Sequence, residues 1–161
     1  MSPFRIGFGY DIHKLVEKRP LILGGVELPH HKGLLGHSDA DCLSHAIADA
    51  LLGAAGLPDI GHFFPDDNPT YKDINSQEIL KTVLKEIKKS QLTIVNIDTT
   101  ILAEKPKLAP YFEQMKATIA NSLELTVYQI GIKATTTEQI GPIGLEEAIA
   151  AYAVCLLEKR P

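Results

Sequence analysis

Phe4-Arg5-Ile6-Gly7-Phe8-Gly9-Tyr10-Asp11-Ile12-His13 is a ten-residue stretch with a period of two. Phe4, Ile6, Phe8 and Tyr10 alternate with Arg5, Gly7, Gly9 and Asp11. Successive side chains of a strand point to opposite faces, so this pattern specifies a β-strand. Working outward, residues 20–28 (PLILGGVEL) read as a second strand, with Gly24-Gly25 marking a bulge or a close backbone approach. Residues 29–36 form a loop rich in His and Gly. The spacing then predicts a helix over 38–56, Ala-rich on one face. Ser38 is its N-cap, Asp41 completes a start resembling a capping box, and Gly56-Leu57-Pro58 is the stop. Residues 59–73, with four aspartates, read as a loop.

Ser76 caps a second helix whose Ile79, Leu80, Val83, Leu84 and Ile87 make one apolar stripe opposite lysines. Residues 93–103 are β-branched and read as a strand. Pro110 suits the first turn of a third helix that turns Phe112, Met115, Ile119 and Leu123 inward. Residues 127–137 read as a strand and 146–159 as a final amphipathic helix. The order β-β-α-α-β-α-β-α predicts an α+β sandwich, a single domain over 1–161. One sheet, antiparallel or mixed, would carry its helices on one face.

A length of 161 residues suits one domain, and 45% hydrophobic with 22% charged residues suits a protein that buries a core. The net charge of −4 argues against a nucleic-acid partner. Charges interrupt every apolar stretch, so no transmembrane helix and no membrane role are expected. The first residues lack the pattern of a signal peptide. Cys42 and Cys155 read as small buried hydrophobes in helical patterns rather than as a disulfide scaffold. The expected compartment is therefore the reducing cytoplasm.

Asp11 and His13 lie two apart on a strand and leave by the same face, and His45 lies on the helix after Ser38. Asp/His/His suits zinc, and three protein ligands leave a fourth position open, the pattern of a catalytic site. Asp41 and Asp49 stand four residues before and after His45, where a carboxylate could orient the imidazole. The plainer alternative is an accidental Asp-x-His and a satisfied core histidine. His37-Ser38-Asp39 at the helix start suits an anion or plain capping. Asp59-Ile60-Gly61 and Phe64-Pro65-Asp66-Asp67-Asn68 suit sugar hydroxyls or a solvated acidic loop. Lys105-Pro106-Lys107 suits phosphate or ordinary exposure. Lys133-Ala134-Thr135-Thr136-Thr137-Glu138 offers hydroxyls, N–H groups and a hard oxygen ligand for Mg²⁺ or Mn²⁺, or else an ordinary strand edge.

Taken in order, GFGYDIH, GHSDAD with His45, DIGHFFPDD, ILAEKPKL and KATTTE resemble the 2-C-methyl-D-erythritol 2,4-cyclodiphosphate synthase family, over essentially the whole chain. The resemblance implies an α+β homotrimer with active sites between subunits, working in the non-mevalonate isoprenoid pathway. Its substrate would be 4-diphosphocytidyl-2-C-methyl-D-erythritol 2-phosphate. By resemblance, Asp11, His13 and His45 match zinc ligands, and Glu138 the ligand of a second divalent ion, Mg²⁺ or Mn²⁺. Asp11, Ile12, His13, His37 and Ser38 match the substrate contacts beside the metal. Asp59, Ile60 and Gly61 match the segment holding the methylerythritol hydroxyls, with Phe64, Pro65, Asp66, Asp67 and Asn68 as the loop beside it. Ala103, Glu104, Lys105, Pro106, Lys107, Leu108 and Ala109 match the cytidine diphosphate pocket, together with Thr135, Thr136, Thr137 and Glu138. His37 and Thr136 match the catalytic positions. Pro142 and Leu145 depart from the family, standing where an aromatic and an arginine are usual. That departure puts in doubt an isoprenoid diphosphate site in the central trimer cavity. A metal- or nucleotide-binding module and a zinc phosphoesterase are the rival readings of the same residues.

Overall fold

The computed structural model describes residues 2–159. The alternating N-terminal stretch forms a long strand, β1 (Phe4–Glu17). It is followed by β2 (Leu21–Leu23), β3 (Val26–Leu28) and β4 (Lys32–Leu35), then helix α1 (Cys42–Ala55) and the short α2 (Ile60–Phe63). Next come α3 (Ser76–Lys89), β5 (Leu92–Leu102), α4 (Phe112–Leu123), β6 (Ile130–Thr135), a four-residue turn of helix α5 (Gly141–Gly144) and β7 (Ala148–Lys159). Five strands make one mixed sheet in the order β4-β1-β7-β5-β6, in which only β5 and β6 run parallel. The α+β architecture read from the sequence holds: α1, α3 and α4 bury their apolar residues against one face of this sheet.

Several boundaries differ from the sequence reading. The predicted C-terminal helix over 146–159 is β7, the central strand, paired with both β1 and β5. Residues 20–28 make a hairpin of two short strands, with Gly24 and Gly25 at φ 59° and 73° in the turn. That is backbone glycine adopts without strain. The 29–36 loop contains β4, and the 59–73 loop contains α2 and a 3₁₀ turn over Pro69–Tyr71. Pro110 lies in a separate 3₁₀ turn ahead of α4.

Both helix starts also differ, by three residues for the first helix and by one for the second. α1 begins at Cys42 and its N-cap is Asp41, not Ser38. The Asp41 carboxylate is fully buried and accepts from the Gly24, Gly25 and Ser44 amides and the Ser44 hydroxyl. It thereby ties the β2–β3 hairpin to the helix. Burial pushes its carboxyl above the ordinary range, against the pull of those hydrogen bonds. α3 is capped by Asn75, not Ser76. The stop at Gly56 is as expected, with a left-handed φ of 74°.

β1 meets α1 through its glycines. An added Cβ at Gly7 or Gly9 would lie 1.8 Å from the Ala50 carbonyl oxygen or 1.9 Å from that of Ala46. Helix backbone therefore rests directly on strand backbone. The opposite face of β1 carries Phe4, Ile6, Phe8, Tyr10 and Ile12. With Tyr152 and Val154 of β7 they form an exposed apolar sheet face.

Cys42 and Cys155 are both buried and unpaired, Cys42 on α1 as expected and Cys155 on β7 rather than on a helix. Burial pushes the Cys155 thiol up to about 12 and the Cys42 thiol well above its ordinary value. Since the thiolate is the nucleophile, native protein at pH 8 should alkylate on the order of 10³-fold more slowly than unfolded chain. Mass spectrometry after iodoacetamide treatment checks this, and rapid native labelling would contradict the burial. Among the described residues no helix is long and apolar enough to cross a membrane.

Candidate functional site

The close β1–α1 contact places His45, one turn into the helix, over the helix-facing residues Asp11 and His13 of the strand. Asp11 Oδ2 lies 2.9 Å from His13 Nε2 and 3.0 Å from His45 Nδ1, and the two imidazole nitrogens are 3.3 Å apart. These three groups are the one His/Cys/Asp/Glu cluster among the described residues arranged to hold a metal ion. His13 Nδ1 lies 2.9 Å from the Leu35 carbonyl. That oxygen only accepts, so Nδ1 carries a proton and Nε2 is the nitrogen turned to the cluster.

Burial opposes charge on Asp11, yet the hydrogen bonds and positive charge of His13 and His45 hold its carboxyl well below the usual range. Burial likewise opposes charge on His45, and the Asp11 carboxylate overcomes it, raising the imidazole. The cluster thus gathers one stable negative charge and two imidazoles in a partly closed cleft.

His37, Ser38, Ile60, Gly61, Phe64 and Asp66 line that cleft with the triad, as do Gly36 and Ile79, which the sequence did not single out. Backbone bonds from Asp73 N–H to His37 O (2.8 Å) and from Asp39 N–H to Ile74 O (3.2 Å) pin the 37–39 segment beside the start of α3. Arg19 Nη2 donates to Ser38 O at 3.1 Å. Asp59 caps α2 by accepting from His62 N–H at 3.3 Å, and Asn68 caps the following turn by accepting from Thr70 N–H. Pro65, Asp67 and Asn68 follow on the same loop but do not line the cleft. Ile12 is exposed on the other face of β1.

Neither aspartate expected to orient His45 does so. Asp41 faces the hairpin, and Asp49 Oδ1 accepts from the Ile60 amide at 2.9 Å, holding the start of α2. His45 Nε2 instead faces two hydroxyls, Ser76 Oγ at 2.9 Å and Ser38 Oγ at 3.2 Å.

A second cleft lies at the ends of β5 and β6, joined by Ala103 N–H to Thr135 O at 3.1 Å. It is lined by all seven residues Ala103 to Ala109, by Ala134, Thr135 and Thr136 of one motif, and by Phe112, which the sequence presents only as a core residue. Thr137 and Glu138 follow outside this lining. Thr137 donates to Ile140 O, and exposed Glu138 accepts from Thr136 Oγ1 at 3.2 Å. The two clefts share no residue. The pairings Asp11–Ala151, Ala151–Ile101 and Ile101–Ala134 set them three strand steps apart, about 14 Å at the usual strand spacing. Leu145 is exposed, and the neighbouring Glu146 pairs with Lys105 at 3.0 Å.

The YgbB family model matches residues 4–158. A curated 2-C-methyl-D-erythritol 2,4-cyclodiphosphate synthase from Geobacillus sp. (strain WCH70) is 57% identical over 157 residues, covering 98% of this chain and 99% of its own. The synthase from Enterococcus faecalis is 58% identical, covering 96% and 99%. Among solved structures, Plasmodium falciparum IspF in its CDP complex superposes with a TM-score of 0.87 at 35% identity, covering all of this chain and 99% of its own. The bifunctional IspDF of Campylobacter jejuni matches with a TM-score of 0.93 at 40% identity; this chain spans 42% of that longer one.

Proposed function

Because the chain belongs to the 2-C-methyl-D-erythritol 2,4-cyclodiphosphate synthase family, lyases of isoprenoid biosynthesis, we propose how its two clefts perform the cyclisation. The substrate is 4-diphosphocytidyl-2-C-methyl-D-erythritol 2-phosphate. An oxygen of its 2-phosphate attacks the β-phosphorus, and the bond from that phosphorus to the CMP oxygen breaks. CMP leaves with the electron pair, and 2-C-methyl-D-erythritol 2,4-cyclodiphosphate remains. The observation that carries this reading is the convergence of Asp11, His13 and His45 beside Ser38, Ile60 and Gly61.

The triad fits zinc. Ligand atoms at 2.0–2.1 Å from a tetrahedral ion stand about 3.3 Å from one another, close to the 2.9, 3.0 and 3.3 Å seen between the three donors. Exposed Glu138 supplies oxygens suited to Mg²⁺ or Mn²⁺. When bound, these ions would neutralise the phosphate charges that otherwise keep nucleophile and electrophile apart. His37 and Ser38, with Asp11, His13 and the backbone of Ile12 between them, border the 2-phosphate. Asp59, Ile60 and Gly61 hold the methylerythritol hydroxyls, with the loop of Phe64, Pro65, Asp66, Asp67 and Asn68 beside them. Residues 103–109 with Thr135, Thr136 and Thr137 take the cytidine diphosphate, and Thr136 steadies the charge on the leaving phosphate. No side-chain nucleophile is required. Holding both phosphates of one molecule in place supplies much of the rate.

Two separate clefts for one substrate, together with the exposed apolar sheet face, support a homotrimer in which each site draws its metal side and its nucleotide side from adjacent chains. Cytoplasmic residence accords with such a metabolic role. Phe8 is 61% exposed in the single chain, so Phe8→Asp should spare the fold. It would bury an unpaired charge at the interface, which costs several kcal/mol. Sedimentation should find monomers, with CMP release lost. Mixing inactive His45→Ala with inactive Thr136→Arg chains should restore activity through hybrid sites. Mixed trimers with no activity would refute the shared site. For the reaction itself, CMP release from the named substrate is the test, and its absence with zinc and Mg²⁺ present would overturn the assignment.

A further inference from the structure

Behind His45, on the side away from the triad, Asp39 and Ser76 make a hydrogen-bonded line. Asp39 Oδ2 accepts from the Ser76 amide at 2.9 Å, and Asp39 Oδ1 accepts from the Ser76 hydroxyl and from the Asp41 amide at 3.2 Å. An ionised carboxylate only accepts, so the Ser76 proton points to Asp39, and Ser76 Oγ turns a lone pair to His45 Nε2 at 2.9 Å. His45 must then carry a proton on Nε2, so the nitrogen left to bind a metal is Nδ1, which faces Asp11 and His13. Ser76 is fully buried and His45 is 6% exposed, so water has no access to replace a lost partner; the other hydroxyl at Nε2, Ser38 Oγ, stands farther off at 3.2 Å and already accepts from the Ala40 amide.

We propose that Asp39 and Ser76 are positioning residues for metal binding: through one hydroxyl, they lock the tautomer and ring orientation in which His45 is a ligand. The proposal rests on the metal reading of the triad. An acceptor behind a ligating imidazole is how proteins aim such ligands, and losing it commonly weakens metal affinity 10–100-fold. Asp39 is also hard to replace. Asparagine keeps its shape but offers only one accepting atom. Either its NH₂ faces the Ser76 amide donor, or it donates to the Ser76 hydroxyl. In the second case the hydroxyl proton turns toward Nε2 and favours the wrong tautomer.

The test is titration of metal-free, full-length protein with zinc against a chromophoric chelator. Ser76→Ala and Asp39→Asn should each bind zinc 10–100-fold more weakly. The double variant should lose no more than the worse single one, since both act through the same hydroxyl. In the zinc-loaded wild type, the His45 Nε2–H resonance, identified by its loss in His45→Ala, should be protected from exchange. Affinities within twofold of wild type in both variants would overturn the proposal. So would a freely exchanging Nε2–H in the wild type, a readout that stands even if a variant fails to fold. Wild type that binds no zinc at all would remove the metal reading and this proposal together. Zinc binding that needs His45 but ignores Ser76 and Asp39 would sink the proposal alone.

Discussion

Gly9→Ala should abolish metal binding and reduce CMP release at least about 100-fold, although the change adds only one methyl group. The new Cβ would lie 1.9 Å from the Ala46 carbonyl oxygen and 2.8 Å from the Ala50 amide nitrogen. Both are helix backbone, which has no rotamer to escape into. To restore van der Waals contact, α1 must lift from β1 by more than about 1 Å. His45 is the residue before Ala46, so the same shift pulls its Nδ1 from Asp11. Misplacement on that scale can cost a factor of about 100 in rate, and overpacking of this kind costs typically 1–3 kcal/mol of stability. Gly53→Ala on the same helix is the control. Its nearest neighbour would be Phe8 O at 4.0 Å, and removing a helical glycine should stabilise by about 0.5–1 kcal/mol. Thermal unfolding and zinc titration of both variants decide the matter. A folded, zinc-binding Gly9→Ala enzyme would show that the close contact does not set the triad.

His45→Ala should lose the metal and nearly all CMP release while the domain still folds. Loss of several kcal/mol of transition-state charge stabilisation corresponds to at least about 10³-fold in rate. The fold should survive because the core around α1 rests on Leu43, Ile47, Leu51 and Leu52, all fully buried without contacting the triad's open side. That outcome would mark the metal side as a working centre rather than a structural staple. Zinc analysis, circular dichroism and the release assay check the three statements. Retained activity in verified zinc-free protein would refute the role given to the triad.

Much of the candidate site was legible because its groups lie in short runs. Asp11 and His13 share a strand face by parity, and the β5–β6 ends bring residues 103–109 beside Thr135 and Thr136. The misreadings have physical causes. Residues 148–159 look helical because Ala148, Ala150, Ala151 and Ala153 dominate them. Ala151 and Ala153, paired with Asp11 and Gly9, serve a different purpose, which is to let α1 approach β7. Only Tyr152 and Val154, exposed between buried Ala151, Ala153 and Cys155, betray the period of two. Helix propensity yielded to tertiary context. The true partner of His45 escaped for another reason. The i±4 rule proposes neighbours on the same helix, but Nε2 faces the start of α3, and Asp39 and Ser76 are separated by 37 residues. Ser76 was read as a cap because serine before an apolar stripe is the usual signature. Asn75 fills that place and frees Ser76 to turn inward.

The position of β7 has a consequence for how the protein is made. The strand at the centre of the sheet is the last to leave the ribosome, about 130 residues after β1. Until it emerges, β1 and β5 are two unpaired edges with a gap between them, and α1 lacks part of the sheet it packs on. The helices and the β2–β3 hairpin can form early, but the sheet closes only through pairings of long sequence separation, which are slow. A nascent chain therefore spends most of its synthesis with open strand edges, the state in which mispairing and aggregation compete. The sheet is completed by insertion of one strand between two that are already waiting.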